Sequence, residues 1–314
     1  MKAADGRTTT RNMAQRGRGR LGRALATAAA IAAIFATAPA AADAGNVAEF
    51  AENLRLSVFG LTMDQRLINF RVVVPQLSRE IGKLTGFQGG DTALIGMDFR
   101  VQDGRLYGVG NSGGIYTIDT NSAVLTLISR LTVPLAGTSW GVDFNPAANA
   151  LRIISDSGQN LRHPFSGPQA NVTQTDDPLD YPPATPVNTP GPTANAQNNA
   201  ALTGAAYTNN DLDPNTGTTL FDIDAIRNQV VIQSPPNNGS LVPTGSLTVD
   251  PGTPVGFDIY TKVQNGKAVG NSGFASLVVD GVPGLYSVNL VTGKATLMDN
   301  LSEQVVDIAI PLNQ

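Results

Sequence analysis

From about residue 55 onward, apolar and polar positions alternate in short runs, each closed by a turn signal. The runs read LIGMDF (Leu94–Phe99), RLYGV (Arg105–Val109), GIYTID (Gly114–Asp119) and AVLTLIS (Ala123–Ser129), and similar runs follow. The punctuation is Asp103-Gly104, Asn111-Ser-Gly-Gly114, Asp156-Ser-Gly158, Asn265-Gly266, Asp280-Gly281 and Thr292-Gly293, dipeptides that suit tight turns between strands. Helical periodicity is confined to a short segment near Val47–Leu56. The pattern predicts an all-β chain, with sandwich, barrel and propeller as the architectures to choose among.

An internal repeat chooses. Residues 94–99 (LIGMDF), 139–144 (SWGVDF) and 254–259 (PVGFDI) share Gly-x-Asp followed by an aromatic residue or Ile. LTGAAY (Leu202–Tyr207) repeats the pattern with Ala206 in place of Asp, and VVDIAI (Val305–Ile310) repeats it in degenerate form. The aligned positions Asp98, Asp143, Ala206, Asp258 and Asp307 stand 45, 63, 52 and 49 residues apart. A four-stranded propeller blade takes about 40–50 residues, so one repeat fits one blade. The predicted fold is a β-propeller of about five four-stranded blades; tandem β-sandwich-like modules are the alternative.

Both ends of the repeat region fit a closed ring. Ser57–Thr62 (SVFGLT) resembles a second strand and Arg66–Val72 a third, so the first blade lacks its innermost strand. Val305–Ile310 has the innermost-strand pattern with almost nothing after it. Pairing it with the first blade closes the ring and covers an exposed edge. The one long interval holds an insertion, 166–199, with Pro168, Pro178, Pro182, Pro183, Pro186, Pro190 and Pro192 among Asn, Thr and Gln. Such a segment is no central strand and reads as a long surface loop.

The first 44 residues differ in kind. A basic stretch (Arg7 to Arg23) precedes an Ala-rich apolar run and two A-x-A sites, ending at Ala40 and Ala44, which is the layout of a secretory signal peptide of bacterial type. The expected product is a single domain, 45–314, periplasmic or extracellular, with no membrane attachment after cleavage. That segment holds seven Lys and Arg and two acids, so 45–314 keeps 14 basic and 23 acidic side chains, a net charge of −9 instead of −4. The acidic balance argues against a nucleic-acid partner. With no Cys and one His in 314 residues, disulfide scaffolds, thiol catalysis and multi-histidine metal sites are excluded.

The same stretches resemble the bacterial secreted proteins grouped as domain of unknown function 4394. The resemblance is carried by 94–120 (LIGMDFRVQDGRLYGVGNSGGIYTIDT), 141–162 (GVDFNPAANALRIISDSGQNLR), 205–224 (AAYTNNDLDPNTGTTLFDID) and 235–247 (PPNNGSLVPTGSL). It implies a propeller-like repeat fold and export. It implies no catalytic residue.

Three features bear on chemistry. Asp211, Asp213, Asn215 and Asp222 match positions 1, 3, 5 and 12 of an oxygen-ligand calcium loop, but Thr216 stands where that loop needs Gly and Asp222 where it needs Glu. The competing reading is a turn whose Asp and Asn side chains bond to nearby amides. The repeated Asp98, Asp143, Asp258 and Asp307 either line a central channel or accept backbone N–H groups once per blade. His163 precedes Pro164 beside the insertion, and the two Gly-x-Ser-x-Gly matches, Gly110-Asn-Ser-Gly-Gly114 and Gly137-Thr-Ser-Trp-Gly141, follow no strand–helix arrangement, so a nucleophile–His pair is not expected. Gly110-Asn-Ser-Gly-Gly114 and Gly270-Asn-Ser-Gly273 read as tight turns at equivalent corners.

The preferred expectation is an exported, non-enzymatic, monomeric propeller that binds a protein, glycan or small ligand, with calcium as the only cofactor suggested. A divalent-metal-dependent hydrolase or lactonase-like enzyme at the propeller centre, and a structural matrix or surface component, are the alternatives.

Overall fold

The computed structural model describes residues 55–182, 202–312 and 314. The expected signal peptide with its expected cleavage sites, most of the short helical segment expected near Val47–Leu56, and 183–199 of the insertion lie outside the described residues.

Among the described residues, twenty strands form five four-stranded antiparallel sheets arranged as a ring, a five-bladed propeller. Blade 1 contains β1 (Ser57–Thr62), β2 (Arg66–Arg71) and β3 (Arg79–Lys83). Blade 2 runs from the inside outward as β4 (Leu94–Phe99), β5 (Leu106–Gly110), β6 (Gly114–Ile118) and β7 (Leu125–Arg130). Blade 3 is β8 (Trp140–Asn145), β9 (Ala150–Ser155), β10 (Asn160–Pro164) and β11 (Gln174–Thr175), and blade 4 is β12 (Leu202–Tyr207), β13 (Leu220–Asp224), β14 (Gln229–Gln233) and β15 (Leu241–Ser246). Blade 5 is β16 (Gly256–Gln264), β17 (Lys267–Val279), β18 (Val282–Val288) and β19 (Ala295–Asn300). The last strand, β20 (Val305–Ala309), is the innermost strand of blade 1 and pairs with β1 through Phe59↔Ala309 and Leu61↔Asp307. The ends of the chain thus close the ring by hydrogen bonds, as the half-blade at the start of the repeat requires.

Hydrophobic burial follows the ring. Five clusters of buried side chains are present, and each takes residues from neighbouring blades: Leu61 and Met97, Val109 and Phe144, Ile154 and Leu202, Ala206 and Phe257, Phe274 and Ile308. A blade buries both faces against neighbours, which is why inner and middle strands such as β5 and β9 are buried along their whole length. Outer strands such as β7 alternate buried and exposed positions.

Two sequence expectations change. Gly270–Gly273, expected to be a tight turn, lies inside one continuous strand, β17. The reason lies in blade 4, whose first turn hydrogen-bonds the protruding β16–β17 hairpin: Asn209 N–H donates to Asn271 Oδ1 (3.0 Å), Asn210 N–H to Thr261 Oγ1 (3.0 Å) and Ala268 N–H to Asp211 Oδ2 (2.7 Å). The reversal falls at Asn265-Gly266, both in left-handed conformation. The described part of the insertion also does more than loop over the surface. It supplies β11, the outer edge of blade 3, and then buries Leu179 and Tyr181 against blade 4. Asp180 N–H donates to Gly239 O and Leu241 N–H to Asp180 O, both at 2.9 Å.

Candidate functional site

In blades 2, 3 and 5 Gly-x-Asp lies on the innermost strand, with Gly and Asp on the face toward the next blade; blade 4 keeps Gly204 with Ala206 in place of Asp, and blade 1 keeps Asp307 without the Gly. A Cβ on Gly96 would stand 2.6 Å from Val142, one on Gly141 2.8 Å from the backbone of Ala205, and one on Gly256 2.6 Å from Cα of Asp307. Only glycine permits so close an approach between inner strands. The carboxylate two residues on then reaches across the gap. Asp307 accepts the N–H of Met97 (2.7 Å), Asp98 that of Phe144 (2.9 Å), Asp143 that of Tyr207 (3.2 Å) and Asp258 that of Ile310 (2.6 Å). Asp98, Asp258 and Asp307 use the second oxygen for the N–H of their own following residue. Four of the five seams carry this latch. The seam from blade 4 to blade 5 does not, because Ala206 has no carboxylate; Ala206 instead joins an apolar cluster with Phe221, Val255 and Phe257.

The same geometry draws the carboxylates together at the axis. One oxygen from each of Asp98, Asp143 and Asp258 lies within 4.8 Å of the others, and all three residues are buried. Burial pushes Asp98 and Asp143 well above the usual carboxylate range, with the charge of Asp258 adding to the rise in both. Burial also raises Asp307 strongly and Asp258 to about 6, although backbone N–H groups pull the other way. Protons shared among the group, or a cation with several oxygen ligands, are the two physical means of neutralising it. If a metal is held among these residues, Asp98, Asp143 and Asp258 are its ligands.

The loop Asp211–Gly217 does not assemble the other predicted set. Asp211 spends both oxygens on backbone N–H groups, those of Asp213 and Ala268. Asp213 accepts from Asn215 and pairs with Lys267 at 3.1 Å. Asp222 is far inside blade 4, paired in register with Ala205 and Val231, and fully buried. Asp211, Asp213 and Asp222 do not form a set of three with ligand oxygens all within 4.8 Å of one another.

His163 is buried on β10, its Nε2 3.1 Å from Ser129 Oγ and its Nδ1 3.0 Å from Thr173 Oγ1. Burial lowers its pKa to about 4, so the ring is neutral and bridges blades 2 and 3. Gly110–Gly114 forms the tight turn expected of it, with Gly113 at φ 88°. Trp140 packs with the cluster between blades 2 and 3.

Solvent-facing features that the sequence did not single out lie on the ring face built from the first-to-second and third-to-fourth strand turns. A groove of about 500 Å³ on blade 2 is lined by Arg105, Thr117, Asp119, Asn121 and Thr126 over Leu106 and Ile118. A second, of about 460 Å³, lies on blade 3 beside Ala150, Arg162, Pro164, Ser166 and Gln169. They occupy the same place in successive blades: Thr117 pairs with Tyr107, which pairs with Asp98, just as Arg162 pairs with Arg152 and Arg152 with Asp143. Arg100 Nε donates to Asn149 Oδ1 (2.9 Å) and Gln102 Nε2 to Pro146 O (2.8 Å), joining the two turns into one rim. Strand alignment between blades was the signal that could have found them.

Comparison with known proteins places a family profile, described as "Domain of unknown function (DUF4394)", over residues 66–309. No curated protein matches the chain. Among solved structures, a chain of a nidogen/laminin complex aligns at 12% identity over 82% of this chain and 99% of its own, with a TM-score of 0.45. A Lactobacillus plantarum protein aligns at 13% identity over 79% and 82%, with a TM-score of 0.41. A Bacteroides thetaiotaomicron protein of unknown function aligns at 12% identity over 82% and 64%, with a TM-score of 0.39. Likeness at this level carries no argument, and the fold rests on the strand order itself.

Proposed function

The chain belongs to the family described as Domain of unknown function (DUF4394), and on that premise we propose that it acts, once exported, as a non-enzymatic binding propeller. The ligand class favoured is a glycan, held on the ring face that bears the two grooves. One observation carries this reading: neighbouring blades present hydrogen-bonding side chains at equivalent positions on one continuous rim. Repeated subsites suit a ligand of repeated polar units, and Arg, Asp, Asn and Thr side chains over an apolar floor suit hydroxyl-rich rings. Export rests on residues 1–44, and no described helix is long and apolar enough to cross a membrane. The experiment is titration of bacterial and host oligosaccharides against the secreted protein, alongside Arg105→Ala and Arg162→Ala. Saturable binding weakened by both substitutions is expected; binding equal in all three proteins, or no oligosaccharide bound, rejects the reading.

A second reading, a divalent cation such as calcium at the axis, is favoured by the convergence of Asp98, Asp143 and Asp258. Because these residues are only 2–6% exposed, an ion there would brace the ring and would not meet a substrate. Metal analysis of the protein purified without chelator, native and Asp143→Asn, tests it.

A further inference from the structure

In blades 2, 3 and 5, the second strand meets the repeated Asp with a pair of positions that faces outward in opposite directions. Opposite the Asp stand Tyr107, Arg152 and Phe274, and in blade 4 Phe221 stands opposite Ala206. One step along stand Gly108, Ile153 and Ala275, and in blade 4 Asp222. Two positions that are otherwise aromatic, aliphatic or glycine thus carry one charge each, Arg152 and Asp222. They lie on facing surfaces of the same seam. Arg152 shares its side of blade 3 with Asp143, which reaches toward Tyr207; Asp222 shares its side of blade 4 with Ala205, whose backbone N abuts Gly141.

Arg152 is held on four sides. Its Nε donates to Tyr207 Oη (3.3 Å), Nη1 to Asn160 Oδ1 (2.7 Å) and Asp176 Oδ2 (2.8 Å), and Nη2 to Asn237 Oδ1 (2.8 Å). One N–H of Nη2 is left over. Gln233 Nε2 donates to the same Asn160 Oδ1 (3.2 Å), which brings its amide against the guanidinium. Yet Gln233 Oε1 and both oxygens of Asp222 accept no hydrogen bond from the protein, and both residues are fully buried. Arg152 is the charge that opposes the burial-driven rise of the Asp222 carboxyl, so the two groups sense each other, but no ion pair within 4.0 Å joins them.

Three buried acceptor atoms without a donor, beside a donor without an acceptor, describe a space that wants a small molecule able to do both. We infer that the seam between blades 3 and 4 encloses bound water that joins Asp222 and Gln233 to Arg152. With Arg162 and Asp176 beside them, two cations face one paired carboxylate and the buried Asp222 carboxyl, so the site carries no excess of negative charge and takes a neutral ligand in preference to a cation.

Magnetic relaxation dispersion of water counts long-lived internal waters in the full chain in solution. Asp222→Leu, which suits the apolar interior of a strand, is expected to lose at least one such water, and Asp222→Asn, which keeps a polar head, to retain it. Equal counts in the native protein and Asp222→Leu overturn the inference. Should Asp222→Leu fail to fold, a crystal structure of the native chain decides. Water within hydrogen-bonding distance of Asp222 and Gln233 supports the site, and a carboxylate resting directly on Arg152, or an empty space around it, overturns it.

Discussion

Asp98 Oδ2 accepts the backbone N–H of Phe144 at 2.9 Å across the gap between blades 2 and 3, while Oδ1 takes the N–H of Phe99 in its own strand. One carboxylate therefore fixes two inner strands at once. Asp98→Ala removes both acceptors inside a buried seam and is expected to lower stability by ~2–3 kcal/mol, the cost of orphaning buried donors. Asp98→Asn keeps an acceptor for Phe144 and is expected to cost less. Urea unfolding of the two variants at one pH compares them; equal losses reject the latch.

The axial carboxylates give the pH dependence an unusual sign. Asp258 titrates at about 6 in the folded protein, and Asp98, Asp143 and Asp307 are raised as well, against about 3.9 in an unfolded chain. Folding binds protons, so this contribution is complete below about pH 4 and declines as pH rises through 6. His163 has the opposite sign: with its pKa lowered to about 4, its contribution is present above about pH 6.5 and lost as pH falls through 4. The unfolding free energy of the native protein minus that of Asp258→Asn, in which the His163 contribution cancels, is expected to decline as pH rises from 4 through 6. A difference that rises over this range contradicts the raised carboxylates; a bound cation would do so too, and a chelator separates the two.

Ala206 looks like a lapse in the repeat, and Ala206→Asp would restore it. The structure predicts the reverse of repair. The position is fully buried in the apolar cluster of the blade 4–5 seam, and a further carboxylate would face a group already short of counter-charge. A loss of more than ~3 kcal/mol is expected, read as a lowered melting temperature; an unchanged or raised one contradicts this account of the seam.

Gly96→Ala tests the close approach directly. Its new methyl would sit 2.6 Å from Val142 and 3.0 Å from Asp307 Oδ2, so strands or side chains must shift. A cost of ~1–3 kcal/mol is expected. The control is Gly104→Ala, where a Cβ meets nothing within 4 Å but φ is 67°, so only backbone strain of ~1–2 kcal/mol arises. Adding Val142→Ala should recover part of the loss in Gly96→Ala and none in Gly104→Ala.

Ring closure depends on ten C-terminal residues. A chain ending at Gln304 lacks β20 and leaves the edge of β1 and the cluster around Leu56, Phe70 and Ile308 open to water. It is expected to aggregate or to show no cooperative unfolding, by calorimetry, and a separate peptide of 305–314 to restore part of the signal.

Much of the ring was legible before any coordinates. Gly-x-Asp at blade-length intervals, turn dipeptides between strands, a first blade short of its innermost strand and a lone innermost strand at the end of the repeat define five blades and their closure, because strand alternation and turn chemistry act over a few residues. Other features escaped for a common reason. Gly270–Gly273 has the composition of a turn but is strand, since blade 4 holds the hairpin straight through Asn209, Asn210 and Asp211. Asp222 sits at calcium-loop spacing from Asp211, yet strand direction carries it into a different seam. The two-residue β11 has no pattern of its own; it is a strand because β10 offers an edge.

Local pattern thus determined most of the strands and turns and how many blades the chain makes. What each repeated or exceptional residue does was decided by the neighbouring blade. Asp98 became a latch and part of an axial carboxylate group only because five inner strands converge on one line. Arg152 and Asp222, 70 positions apart, share a seam only because consecutive blades pack face to face. Periodicity is a property of short segments, whereas desolvation and charge depend on everything within a few ångströms, most of it distant along the chain.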